Sequence, residues 1–384
     1  MRTIIAGGGL VTPFEALKDH ALIIEHGTIL GMIPQNQYLP QAGDTVIDCT
    51  GKWVTPGLID IHVHGANLAD TMDGSHEAYE TLGRFFARHG VTAYLLTTGA
   101  APNERISTVL RSYAGYTPSP NSARPLGIHL EGPYLGEKNK GAQPVEHLRN
   151  PNPQEYIAWF ASGIVRLMTI APELKGSAEL IRYGLSCGVE FAVGHSEASY
   201  DQMQAAIGYG LRQATHTFNG MNPLHHREPG VVGAVLADHR VYAQVIPDGI
   251  HVHPAVVKTL VRAKGVERTI LITDSIRAAG LPDGDYELLG HTVHVQDQIA
   301  RVDSGSLAGS VVTMDAAVRN AMRFCDISLS EAVRMASYTP AESLHLTPLY
   351  GQLAPGSRAD LAIFDPDLTI HMTLVGGNIA YQKS

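Results

Sequence analysis

Between residues 55 and 346, short apolar β-like runs alternate with segments of helical period, and no other property of this chain restricts its fold so tightly. The β-like runs are Pro56 to His64, Val91 to Thr98, Leu126 to Glu131, Val165 to Ile170, Val189 to Val193, Gln213 to Thr215, Tyr242 to Ile246 and Thr269 to Thr273. Helical segments fit between them, among them His76 to His89, Asn103 to Tyr113, Ser177 to Ser186, Ser199 to Tyr209 and Pro254 to Lys264, the last with proline in its first turn. Eight such units over roughly 250 residues is the count of an α/β protein of the (β/α)8 TIM-like barrel class. A doubly wound open sheet can be written from similar runs, but it calls for a Gly-rich phosphate turn after its first strand, and nothing here looks like one.

The two ends read differently. Thr3 to Ala6, Ala21 to Glu25, Thr28 to Met32 and Thr45 to Asp48 are short β segments separated by Gly, Pro and Asn. The pattern returns at Ala359 to Asp365, Ile370 to Val375 and Ile379 to Tyr381. One small β-sandwich built from both termini, 1–54 and 347–384, around a catalytic barrel at 55–346 accounts for this, and two unrelated flaps are the alternative.

Composition excludes several partners. With 44% hydrophobic residues in 384 the chain can bury a large core, and its formal charge of -9 argues against a nucleic-acid partner. No run approaches the roughly 20 apolar residues that a membrane span needs. Cys49, Cys187 and Cys325 are scattered, and the start Met1-Arg2-Thr3-Ile4-Ile5-Ala6 lacks a long apolar stretch, which together suggest a reduced, cytoplasmic setting. The unusual number is 19 histidines, among which position has to select.

Position selects those at strand ends. His62 and His64, one residue apart on an extended run, project to the same side. The third run ends in Glu131, the fifth leads to His195, the sixth to His216 and the eighth to Asp274. A single histidine after a strand is ordinarily a solvated turn residue. Five runs ending in groups of the metal-ligand kind, at the one face of a barrel where active sites sit, point to a divalent metal site instead.

The run Pro56-Gly57-Leu58-Ile59-Asp60-Ile61-His62-Val63-His64-Gly65 resembles the opening of the amidohydrolase superfamily. With it, His129-Leu130-Glu131-Gly132-Pro133, Gly194-His195-Ser196, Thr215-His216-Thr217-Phe218-Asn219-Gly220-Met221, His226-Arg227-Glu228-Pro229-Gly230, Asp248-Gly249-Ile250-His251, Thr273-Asp274-Ser275 and Leu307-Ala308-Gly309-Ser310 resemble the N-acetylglucosamine-6-phosphate deacetylase family. The resemblance implies a zinc- or iron-dependent hydrolysis of an acetamide, with Glu131, His195 and His216 as principal ligands of the ion. It implies a second-ion position at His62 and His64, so one or two ions per subunit, and Asp274 as catalytic acid/base. Ala142, Gln143, Asn219, Gly220, Arg227, His251, Leu307, Ala308 and Gly309 fall on substrate-contacting positions. It also implies a phosphorylated amino sugar as substrate and a homodimer or higher homo-oligomer in which one subunit completes its neighbour's phosphate site.

The residue types suit that chemistry. Neutral imidazoles and one carboxylate leave an ion enough positive charge to polarise a carbonyl and acidify a water. Arg227 has the forked, permanent cation that a phosphate needs, and its alternative is a surface ion pair with Glu228. His251 can donate to an oxyanion or a hydroxyl, and is otherwise a histidine near a helix start. Lys140-Gly141-Ala142-Gln143 departs from the family's usual Lys-Gly-Ala-His; an amide still donates and accepts but cannot titrate. The tract Asn219 to Gly230 is also similar to that of deacetylases for the galactosamine epimer. Two further readings stay open: hydrolysis of a cyclic amide or an amino-purine on the same barrel, and a non-catalytic oligomeric binding protein on the same scaffold.

Overall fold

A computed structural model describes residues 2–384. Eight parallel strands follow one another around a single sheet: β1 (Leu58–Val63), β2 (Val91–Thr98), β3 (Arg124–Glu131), β4 (Val165–Ile170), β5 (Glu190–Val193), β6 (Gln213–Ala214), β7 (Tyr242–Val245) and β8 (Thr269–Leu271). Each pairs only with its sequence neighbours, and the chain just past β8 returns to β1 through the parallel bridge Val63–Ser275. There the Asp274 N–H donates to the His62 carbonyl at 2.9 Å and the His64 N–H to the Ser275 carbonyl at 2.8 Å. The ends of β1 and β8, and with them His62, His64 and Asp274, are thereby stitched edge to edge. This is the (β/α)8 barrel class read from the alternation.

Strands buried on both faces lose the polar half of their alternation, which is why β1 and β2 read as continuous apolar runs and are buried at every position. Ile59, Ile61, Leu95, Leu167, Ile246 and Ile272 fill the barrel interior. Around it run helices whose apolar stripes face the strands. His76–Arg88 buries Tyr79, Leu82, Phe85 and Phe86 behind the Ser75 cap. Tyr200–Tyr209 starts on a Ser199–Gln202 capping box, and Pro254–Lys264 carries its proline at the first turn as expected.

The terminal strands form two sheets. Thr28–Pro34, His20–Glu25, Arg2–Ala6 and Thr45–Asp48 make one of four strands. Asn378–Gln382, Ile370–Val375, Leu361–Phe364, Trp53–Pro56, Gly9–Val11 and Ala16–Leu17 make the other, of six. Leu361–Phe364 pairs antiparallel with Trp53–Pro56, so the two chain ends share one sheet and are not separate flaps. Ile5, Leu10, Leu22, Val54, Leu361, Ile363 and Leu374 pack together in a core of their own. Only Gly57 separates the sandwich strand Trp53–Pro56 from β1, and a Cβ there would collide with the Thr92 side chain, so the close approach requires glycine.

Besides a two-stranded ribbon after β1, Gly65–Ala66 with Ala69–Asp70, one larger sheet lies outside the expected pattern. Gly284–Leu288, His291–Gln296 and Ile299–Val302 form a three-stranded antiparallel insertion after β8. It buries Leu288, Val293, Val295 and Ala300 and brings Leu289 against Gly99, just past β2, where an added Cβ would press on the tip of the Leu289 side chain. Among the described residues no helix is long and apolar enough to cross a membrane.

Candidate metal centre and active site

The carboxylate of Glu131, at the last position of β3, sits at the middle of the mouth formed by the C-terminal strand ends. Its Oε1 lies 3.1 Å from His216 Nε2, 3.3 Å from His195 Nε2 and 3.4 Å from His62 Nε2, and its Oε2 lies 3.3 Å from His64 Nε2. Asp274 completes the cluster, with Oδ1 at 3.3 Å from His62 Nε2 and 3.2 Å from His64 Nε2. All six residues are buried. The structure therefore brings together every expected ligand and the expected acid/base, from five different strands.

Local backbone aims these side chains. His195, His216 and Asp274 adopt φ of 48°, 29° and 51°, left-handed values that are uncommon outside glycine, and each stands two or three residues beyond the end of its strand. The reversal swings each side chain off the strand direction and over the mouth. Backbone carbonyls then settle the tautomers. A carbonyl only accepts, so Nδ1–H of His195 donates to Asn139 O at 2.9 Å and Nδ1–H of His216 donates to Asn219 O at 3.1 Å, turning both Nε2 lone pairs toward Glu131. Under β1, Asp60 accepts from the Thr273 hydroxyl at 2.6 Å and from the His62 N–H at 3.3 Å, tying the β1 and β8 ends together a second time.

The donor set fits a divalent cation. Ligand atoms about 2.0–2.1 Å from a tetrahedral zinc lie about 3.3 Å from one another, and the distances around Glu131 and between the His195 and His216 Nε2 atoms, 3.1 Å, cluster there. Such spacing between acceptor nitrogens has no hydrogen to bridge it, and a shared cation resolves it. Two triads meet the geometry, His62–His64–Glu131 and Glu131–His195–His216, with Glu131 common to both. Burial pushes His62 down to about 4, whereas against the pull of burial Asp274 and Glu131 raise His64 and Glu131 raises His195, so a cation held there takes the place of their protons. Burial would raise Glu131, but the imidazoles of His62, His195, His216 and His64 hold it well below the usual carboxylate range. Asp274 follows the same logic: burial opposes ionisation, and His62 and His64 bring it down to about 2.

A cavity of about 310 Å³ opens over the cluster. Ala142, Gln143, Asn219, Gly220, His251, Leu307 and Gly309 line it. His251 is held there by Asp248, whose Oδ2 accepts its Nδ1–H at 2.6 Å while Oδ1 accepts the Ile250 and His251 backbone N–H groups, both at 2.8 Å. Two expected contacts are not on the lining. Ala308 is fully buried beside it, with its N–H on the Ala300 carbonyl. Arg227 is exposed, does not line the cavity, and directs its guanidinium to His226 Nε2 at 2.8 Å rather than to Glu228.

Other groups join the site without having been singled out. Leu288, Leu289 and Ser306 come from the inserted sheet and the turn after it, and the alternating run His291-Thr292-Val293-His294-Val295-Gln296 is the sequence signal that could have exposed that sheet. Asp248 opens the Asp248-Gly249-Ile250-His251 motif, but nothing in the sequence marks it as the partner of the His251 ring. Gln143 reaches past the cavity wall: its Nε2 donates to Glu131 Oε2 at 2.7 Å and its Oε1 accepts the Ala100 N–H at 2.8 Å.

Comparison with known proteins agrees with this geometry. The amidohydrolase family model matches residues 53–380. The chain is similar to N-acetylglucosamine-6-phosphate deacetylase of Lysinibacillus sphaericus, 39% identical over 91% of this chain and 90% of that one. It is similar to N-acetylgalactosamine-6-phosphate deacetylase of Escherichia coli O157:H7, 37% identical over 99% and 100%. Among solved structures it resembles a mutant N-acetyl-D-glucosamine-6-phosphate deacetylase from Mycobacterium smegmatis in complex with N-acetyl-D-glucosamine-6-phosphate, with a TM-score of 0.92, 32% identity and coverage of 99% and 100%. A barrel whose strand ends gather a shared carboxylate, four imidazoles and an aspartate, matched along nearly its whole length, makes the chain a member of the amidohydrolase family.

Proposed function

We propose that this protein hydrolyses the acetamide of N-acetyl-D-glucosamine 6-phosphate to D-glucosamine 6-phosphate and acetate. The observation that carries the reading is the meeting of Glu131, His195 and His216 within bonding range of one cation, with Asp274 beside them at the cavity floor. Relatives of that activity, matched over nine-tenths of the chain or more, supply the substrate class.

Glu131, His195 and His216 would hold the principal ion, and His62 and His64 a second that shares Glu131. A divalent cation, zinc or iron, supplies there the positive charge that polarises the acetamide carbonyl and brings the pKa of a water toward about 7. Asp274, ionised at neutral pH, takes the proton from the attacking water and delivers it to the amine nitrogen as the C–N bond breaks. His251, kept in one tautomer by Asp248, presents its other ring nitrogen to the substrate. The backbone around Asn219 and Gly220 lies open to the cavity and fits the approach of phosphate oxygens. Arg227, on the surface, fits a homodimer or higher assembly in which one subunit completes its neighbour's phosphate site. A cytoplasmic setting fits Cys49, Cys187 and Cys325, none of which is in a disulfide.

The galactosamine epimer is the second reading, favoured by the relative that covers 99% of this chain. Side-by-side assay of both 6-phosphorylated N-acetylhexosamines, with bound metal quantified, separates the two. Acetate release from the glucosamine compound at the higher kcat/KM is expected; a preference for the galactosamine compound would install the second reading, and release from neither would end both.

A further inference from the structure

We infer that Gln143 is a positioning residue of the metal centre, whose carboxamide sets the rotation of the Glu131 carboxylate. The inference rests on the metal-centre reading above.

Gln143 is 4% exposed and stands in the loop after β3, where its backbone N–H closes a turn onto the Lys140 carbonyl at 3.0 Å. The orientation of its amide is dictated by chemistry. The Ala100 N–H can only donate, so the Gln143 oxygen must face it, at 2.8 Å, and the amide nitrogen is left to face Glu131 Oε2, at 2.7 Å. Each end of the side chain therefore answers a protein group, one on the turn after β2 and one on the ligand at the end of β3. A sugar hydroxyl would have to compete with both.

The consequence falls on Glu131. Its terminal torsion, between an sp³ and an sp² carbon, has broad minima and is not fixed by rotamer preference. Three imidazoles gather on Oε1, and Gln143 and His64 gather on Oε2. The Gln143 donor is the one partner of this carboxylate that cannot itself bind a cation. It pins Oε2, and the pinning turns Oε1 toward His195 and His216. Outer partners of this kind are worth about 10- to 100-fold in metal affinity.

The test is zinc affinity, measured by competition with a chromogenic chelator on the full-length protein stripped and reloaded, beside steady-state kinetics at saturating zinc. Gln143→Leu keeps the bulk and removes the donor; it should weaken zinc binding about 10- to 100-fold. Gln143→His, which offers one ring N–H to Glu131 and one ring acceptor to Ala100, should regain most of that affinity. Gln143→Asn, a methylene too short to span both partners, should behave like the leucine variant and serves if the latter does not fold. Unchanged zinc affinity with a raised KM would overturn the inference in favour of a substrate contact, and so would a histidine variant that folds yet regains nothing. If the unsubstituted protein takes up no divalent ion, the metal-centre reading fails; if it does and the variants match it, the inference alone fails.

Discussion

Asp274 shows how much of this site is decided by single residues. It reaches His62 and His64 because its own backbone turns left-handed at φ 51° and because its N–H is held by the His62 carbonyl. Asp274→Asn keeps the shape but cannot take a proton from water, so kcat should fall by at least about 10²- to 10⁴-fold with metal content per subunit unchanged. Retention of most of the activity, measured as acetate release, would remove the acid/base assignment. The ligand set was legible in the sequence because each member stands at or just beyond the end of an apolar run, and in a barrel all such ends share one rim. Gln143 was legible as a residue of the site but its partners were not: Ala100 lies 43 residues away, and pairing at that range leaves no local trace. Arg227 was legible as a cation but not as to where it points, which its exposed turn and His226 decide.

Elements were legible where their pattern is periodic and local. The helices at His76–Arg88, Asn103–Ala114, Ser177–Ser186 and Pro254–Lys264 lie where apolar spacing puts them. The helices Met314–Cys325, Leu329–Ala336 and Tyr338–Ser343 follow the last barrel strand, where no strand alternates with them, and a reading built on alternation does not reach them. Met314–Cys325 depends on Asp315 in its first turn. That carboxylate bonds His89 at the end of His76–Arg88 at 3.0 Å and Arg319 at 2.8 Å, and Arg319 also donates to the Leu368 carbonyl at 2.6 Å. Burial opposes its ionisation, but His89 and Arg319 draw its pKa down to about 2. A carboxylate depressed in the folded state stabilises fully above its unfolded pKa, about 3.9, and loses that contribution as pH falls through its folded value. Asp315→Asn should therefore cost on the order of 2 kcal/mol at pH 7 in urea unfolding, and the gap to the unsubstituted protein should close between about pH 4 and pH 2. An equal loss at both ends of that window would mean the charge is not what holds these segments.

At the scale of the whole molecule the question is whether the barrel can stand without the sandwich. Leu361, Ile363, Met372 and Leu374 are all buried in the sandwich core. At about 1.5–3 kcal/mol each their burial amounts to roughly 6–12 kcal/mol, as large as the entire net stability of an ordinary domain. A chain ending at residue 357 should thus fail to give a cooperative thermal transition by circular dichroism; a folded, monodisperse barrel from that truncation would refute the dependence. Pairing of the two termini was readable only as matching β patterns at both ends, since the register of Leu361 on Pro56 joins residues 305 apart. The single-glycine joint at Gly57 ties the two modules in register. An extended run that begins in one module and, past a single glycine, passes through His62 and stops one residue before His64 in another cannot be recombined at will. A chimera that grafts a foreign sandwich onto this barrel must reproduce the pitch and height at which Gly57 slips past Thr92, or His62 and His64 will arrive at the rim out of phase with Glu131.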